Sequence, residues 1–195
     1  MELEHRGAPS KSGMIVSNHL SYLDILAFSS IAPCAFVAKK EVSGWPVLGL
    51  FAKMAGTIFV DRSRRSDVEE ANLRIAEALA AGVVVVLFAE GTSSDGSSVL
   101  PFRSSLLEPV ILCGCAAVPA AIGYHLDEGS VSDEVCYWRD MTLLPHLLNL
   151  FGKRRVRAWV AFEVGATYAS RKEAAQLLHK RVCELHAVLE KTSSH

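Results

Sequence analysis

His19 and Asp24 stand five residues apart in Val16-Ser17-Asn18-His19-Leu20-Ser21-Tyr22-Leu23-Asp24-Ile25. A neutral imidazole accepts a proton near pH 7, and a carboxylate on its other nitrogen fixes the tautomer and stabilises the imidazolium. The pair is therefore a candidate base for activating a hydroxyl group. On an ideal helix residues five apart are rotated by about 140°, so these two meet only where the chain bends. The sequence predicts a strand from Met14 to Val16 that ends at Asn18, a helix from near Leu20 or Ser21, and His19 in the turn between them. That places the histidine at a strand's carboxyl end, where open α/β sheets bind ligands. Alone, the segment also reads as a capping asparagine beside a surface histidine.

Three later segments carry compatible chemistry. Gly56-Thr57-Ile58-Phe59-Val60-Asp61-Arg62 is a strand ending in an arginine, whose guanidinium can hold a phosphate by two parallel charge-assisted hydrogen bonds or pair with an acid such as Asp61. Phe88-Ala89-Glu90-Gly91-Thr92 follows an apolar run directly; small residues there let backbone approach a ligand, and Glu90 and Thr92 offer an acceptor and a hydroxyl. Val118-Pro119-Ala120-Ala121-Ile122 is a later strand with proline near its start, a structural element rather than a reacting one.

The elements that must position these residues alternate. Met14 to Val16, Phe36 to Ala38, Thr57 to Val60, Val83 to Phe88, Val118 to Ile122 and Val156 to Phe162 read as strands separated by helical patterns. This predicts the α/β class: a single domain over residues 1–195 with a largely parallel or mixed sheet flanked by helices. Val83 to Phe88 is apolar at every position, as a central strand covered on both faces must be. One helix is predicted from Asp67 to Ala81, with a Ser66 and Glu69 capping box, Gly82 as its stop, and Val68, Ala71, Ile75 and Leu79 facing the core. A second capping box, Ser170 with Glu173, opens a carboxyl-terminal helix with a stripe of Leu178, Val182, Leu185 and Leu189.

Twenty basic residues against 21 acidic ones argue against a nucleic-acid binder. The five cysteines form no CxxC pair, so neither a disulfide framework nor a structural zinc site is expected, a reducing compartment is the default, and Cys113 and Cys115 read as small buried residues. The stretch from Met1 to Ser12 lacks the apolar core of a signal peptide. The uncharged run from Pro109 to Tyr124 is broken by Gly114, Pro119 and Gly123, falls short of the roughly 18 to 20 residues that span a bilayer, and is expected to be buried core. Mean hydropathy is nonetheless +0.25, which leaves room for an apolar surface resting on a membrane.

The order of the four segments resembles the glycerolipid acyltransferase family that includes the 1-acylglycerol-3-phosphate acyltransferases. Asn18-His19 through Asp24 is similar to its catalytic motif, Gly56 to Arg62 to its second block, Phe88 to Thr92 to its third and Val118 to Ile122 to its fourth. Lys39-Lys40-Glu41, Trp45-Pro46 and Gly49 also resemble the stretch before the second block. The resemblance implies a glycerol-3-phosphate acyltransferase-like fold. It implies that His19 deprotonates a glycerol-type hydroxyl, which attacks an acyl thioester, while Asp24 orients the imidazole. It assigns Arg62, Glu90, Gly91 and Thr92 to the acceptor site. The partners implied are a lysophospholipid acceptor, most simply 1-acylglycerol-3-phosphate giving phosphatidic acid, and acyl-CoA or acyl carrier protein as donor; no metal or bound cofactor is implied.

Two departures shape the expectation. The family's third block usually reads Phe-Pro-Glu-Gly-Thr-Arg, whereas Ala89 and Ser93 replace its proline and arginine here. Arg103 lies where relatives often carry a basic residue and is a candidate substitute; an acceptor without a phosphomonoester, such as a lyso-ornithine lipid, is the alternative. Many relatives carry apolar helices before the catalytic motif, whereas 18 residues precede His19 here. Either the chain is a shortened form, or it docks by surface patches as a peripheral enzyme on the cytoplasmic face of a membrane, the localisation expected here. Two candidate contact patches are Trp45, Pro46, Leu48, Leu50 and Phe51 near Lys39, Lys40 and Lys53, and Leu143 to Phe151 before Lys153-Arg154-Arg155. A thioester hydrolase lacks a G-x-S-x-G nucleophile, and a non-catalytic lipid-binding protein is the rival from another class.

Overall fold

β-Branched and aromatic runs form the seven strands that organise the protein in a computed structural model, which describes residues 1–9, 11–45 and 48–193. The strands are β1 (Glu2–Arg6), β2 (Met14–Ser17), β3 (Cys34–Lys39), β4 (Ile58–Val60), β5 (Val84–Phe88), β6 (Ala117–Leu126) and β7 (Val156–Phe162), in the sheet order β1-β7-β6-β2-β5-β3-β4. All neighbours pair in parallel except β6 and β7, which are antiparallel. The expected mixed sheet is thus observed. β5 lies between β2 and β3, and all five of its side chains are buried, which explains its unbroken apolar sequence.

Helices cover both faces. Ile15, Val84, Val86 and Phe88 pack with Leu23, Ala27 and Phe28 of α1 (Leu23–Ile31) and with Leu150 of α6 (Leu143–Phe151). On the other face Met14, Val16, Val85 and Leu87 pack with Ala71, Ile75 and Leu79 of α3 (Arg65–Ala80), Val110 of α4 (Glu108–Leu112) and Leu178 of α7 (Arg171–Ser193). Burying each such Val, Leu, Ile, Met or Phe side chain contributes about 1.5–3 kcal/mol, so the sheet's centre carries much of the stabilisation on which the site rests. Short α2 (Leu48–Met54) and α5 (Val131–Glu134) complete the chain. Among the described residues no helix is long and apolar enough to cross a membrane.

Several expectations are corrected. The charged segment Glu2–Arg6 is an edge strand on β7, and polarity hid it from a hydrophobic pattern. β6 continues four residues past Ile122 because β7 pairs with it as far as Leu126. Before α3 no capping box forms: Ser66 turns to Asp67 and Glu69 pairs with Arg65. At α7, Ser170 does accept the Glu173 N–H, but Glu173 takes the Ala169 N–H. Leu112 and Cys113 are exposed rather than core, and the Cys113 and Cys115 sulfurs are bonded to each other. Of the first membrane patch, Pro46 and the side chains of Leu48 and Phe51 lie outside the described residues.

Candidate functional site

β2 is the scaffold from which the site is built. Its four residues are buried, and at its end Asn18 continues the sheet through its side chain: Oδ1 accepts the Ile122 N–H at 2.9 Å and Nδ2 donates to the Ile122 carbonyl at 2.9 Å. The backbone is then free to turn, and His19 leaves the sheet at the carboxyl edge of β2. α1 begins at Leu23, later than the expected Leu20 or Ser21, because residues 20–22 form the turn that brings Asp24 back.

That turn makes the expected pair. His19 Nδ1 lies 2.7 Å from Asp24 Oδ2, which also accepts the backbone N–H groups of Leu20 at 2.8 Å and Ser21 at 3.2 Å. Tyr124 donates its hydroxyl to Asp24 Oδ1 at 2.6 Å. Burial, then the adjacent Asp24 charge, pushes the Tyr124 pKa well above the usual phenol value, so Tyr124 keeps the proton it donates. With Nδ1–H bound to the buried carboxylate, Nε2 of a neutral His19 is the basic nitrogen. The imidazole is part-exposed and stacks on Phe88, the last residue of β5, with ring centroids 4.2 Å apart and planes 14° from parallel.

The loop after β5 wraps this histidine. The His19 N–H donates to Glu90 Oε1 at 3.3 Å, and the Ser94 N–H donates to the His19 carbonyl at 3.0 Å. Burial raises the Glu90 pKa to about 8, opposed by the His19 N–H and reinforced by Asp24. Glu90 therefore binds a proton more tightly folded than unfolded, and its contribution to stability falls as pH rises from about 4.5 to about 8. Glu90→Gln, which mimics the protonated form, is expected to stabilise the protein by about 2 kcal/mol at pH 9 and to change little at pH 5. Urea titrations at the two pH values check this; equal effects at both would contradict it.

Arg62 emerges from β4 and reaches the same loop. It donates through Nη2 to the Phe88 carbonyl at 3.4 Å, while its Nε is buried without a hydrogen-bond partner. Gly91 explains how it fits: the residue has φ +77°, and a Cβ there would stand 2.5 Å from Arg62 Nη1 and 3.3 Å from Arg103 Nε. Two guanidinium groups thus converge on one bare backbone position. Burial, then the Arg103 charge, lowers the Arg62 pKa to about 10. Like charges held together in a partly buried place favour an anionic ligand between them.

Of the expected residues, His19, Arg62, Gly91 and Thr92 line one pocket of about 450 Å³, Thr92 at its exposed rim. Asp24 and Glu90 lie behind His19, and Arg103 stands behind Gly91. Pro119 pairs in register with Val16 and takes a purely structural place. Sequence reasoning missed Tyr124, which the alternation of buried Ala120, Ile122, Tyr124 and Leu126 would have revealed had the strand been carried further. It also missed the far wall, formed by Tyr22, Tyr137, Trp138 and Arg139. Ser93, where the family pattern has an arginine, donates to the Tyr137 carbonyl and holds that wall in place. The segment carrying Tyr137 has no periodicity that marks it.

Comparison with known proteins agrees with this architecture. A family model described as Acyltransferase matches residues 2–123. A lyso-ornithine lipid O-acyltransferase of Brucella abortus is 36% identical over 170 residues, covering 81% of this chain and 62% of that protein. A 1-acyl-sn-glycerol-3-phosphate acyltransferase of Neisseria gonorrhoeae is 34% identical over 139 residues, covering 67% and 54%. The chain therefore spans between about half and two thirds of these relatives' lengths. The crystal structure of the 1-acyl-sn-glycerophosphate acyltransferase PlsC from Thermotoga maritima superimposes with a TM-score of 0.69 at 20% identity, over 97% of this chain and 72% of that one, a likeness of fold.

Proposed function

The chain belongs to the acyltransferase family of glycerolipid metabolism, and from that premise we propose that it transfers a fatty acyl group from an acyl thioester to the free hydroxyl of a lysophospholipid. The acceptor supported best is 1-acylglycerol-3-phosphate, converted to phosphatidic acid. One observation carries the reading: the His19 base and the Arg62 guanidinium line the same pocket, so one ligand can present a hydroxyl to the first and an anion to the second.

In the proposed reaction His19 Nε2 takes the hydroxyl proton as the oxygen attacks the thioester carbonyl. The carbon–sulfur bond then breaks, and His19 returns the proton to the departing thiolate. Asp24 stays ionised and holds the imidazolium. Arg62, with Arg103 beside it, fixes the acceptor's phosphate; Glu90 secures the His19 backbone, and Gly91 and Thr92 leave room for the ligand. The thioester supplies the activated acyl group, from acyl-CoA or acyl carrier protein, so the scheme requires no cofactor. A lyso-ornithine acceptor is the second reading, favoured by Ser93, whose hydroxyl is committed to Tyr137 where the family pattern has a cation.

The test incubates purified protein with acyl-CoA or acyl carrier protein thioesters and a panel of lysolipids, following acceptor-dependent thiol release and the lipid product. Arg62→Ala is expected to raise KM for lysophosphatidic acid by about 10- to 100-fold, consistent with losing about 1.5–3 kcal/mol of charge-assisted hydrogen bonding. KM for the donor should stay within twofold. Thiol release independent of any acceptor would identify a hydrolase instead, and a defect confined to the donor would remove Arg62 from the acceptor site.

A further inference from the structure

α6 shows an apolar face that the fold leaves open. Leu144, Leu148 and Phe151, at helical spacings of four and three, are 66%, 63% and 75% exposed, while His146 and Leu150 of the same helix are buried. The helix contains no charged residue, and Lys153-Arg154-Arg155 follows it. Lys153 pairs with Glu134 and Arg155 with Glu2, and Arg154 is exposed.

The buried face of α6 leads straight to the reaction pocket. His146 Nε2 lies 3.0 Å from the Cys136 carbonyl, which fixes the proton on that nitrogen, so Tyr22 donates its hydroxyl to Nδ1 at 3.0 Å. Its ring also meets the Tyr137 ring edge-on, with centroids 5.3 Å apart. Tyr22 and Tyr137 line the pocket that contains His19. One side of a single short helix therefore braces the pocket wall, and its other side is an uncovered stripe of three large apolar side chains.

We propose that this face of α6 is a bilayer-docking surface that seats the pocket wall against lipid. The identity of the occupant rests on the proposed lipid acceptor. A lysolipid resides in a membrane, and the helix abutting the pocket that would receive it has an uncovered apolar face to bury in the interface, with the exposed Arg154 just beyond its end to meet anionic headgroups.

The test is flotation of the purified protein with phosphatidylcholine vesicles, with and without phosphatidylglycerol. Wild type is expected to float, more strongly with the anionic lipid, and the triple variant Leu144→Ser, Leu148→Ser, Phe151→Ser to lose at least about tenfold in partitioning. Thermal unfolding and turnover of a short-chain, monomeric lysolipid should stay within twofold of wild type. In case the triple variant does not fold, Phe151→Trp provides an independent reading: its added indole emission should shift to the blue on vesicles and be quenched by brominated lipid. Equal flotation of wild type and triple variant, or an unquenched indole, overturns the proposal. So does self-association of wild type in solution that the triple variant abolishes, since a second copy then covers the face. Flotation lost in the variant, in a protein that acylates no lysolipid, upholds docking and refutes the proposed function alone.

Discussion

His19→Ala is expected to lower the turnover of acyl transfer by about 10²- to 10⁴-fold while leaving the fold intact. The rate loss follows from removing the one group, among the described residues of the pocket, placed to accept the hydroxyl proton through a nitrogen backed by a buried carboxylate. The stability change should be small because the imidazole is part-exposed and its main packing is one stacked contact with Phe88, a contact worth about 0.5–1.5 kcal/mol. Steady-state kinetics at saturating acceptor and donor, with a thermal melt of the same sample, check both halves. A variant that keeps full activity would remove His19 from the mechanism.

Asp24 should behave oppositely in its second readout. Its side chain is fully buried and accepts from His19, two backbone amides and Tyr124. Asp24→Ala leaves those donors without an acceptor in a place water does not reach, and is expected to cost about 3–5 kcal/mol of stability together with activity. Asp24→Asn separates shape from charge. Its carbonyl oxygen can keep the three donors at Oδ2 while the Tyr124 hydroxyl rotates to accept from the amide, so much of the stability should return. The rate should remain down by about 10³-fold or more, because a neutral amide cannot stabilise the imidazolium. Urea melts and kcat on the two variants make the comparison; recovery of the rate in Asp24→Asn would show that the carboxylate only shapes the turn.

The legible parts of this protein were those with local signals. The spacing of His19 and Asp24, the unbroken apolar run of β5, the apolar stripe of α3 and the strand from Val156 to Phe162 all depend on residues close in sequence, and all are present. What escaped depends on distant partners. Glu2–Arg6 is a strand only because β7 offers it an edge. Tyr124 matters only because β6 passes behind Asp24. The expected capping box before α3 failed for a similar reason: in Ser66 and Glu69 the residue types were right, but Asp67 and Arg65 offered nearer partners.

The hydrogen bonds from Asn18 to Ile122 and from Tyr124 to Asp24 join residues 104 and 100 positions apart. Closing so long a loop costs chain entropy before any contact rewards it, and pairings of this kind form slowly. The histidine and its acid can meet as soon as the turn at residues 20–22 forms, but they acquire their fixed orientation only when β6 arrives beside β2. During refolding, recovery of activity should therefore track the docking of that strand rather than the appearance of helix. A nascent chain that ended before residue 124 would carry both reacting groups without the Tyr124 hydroxyl that holds one of them in place.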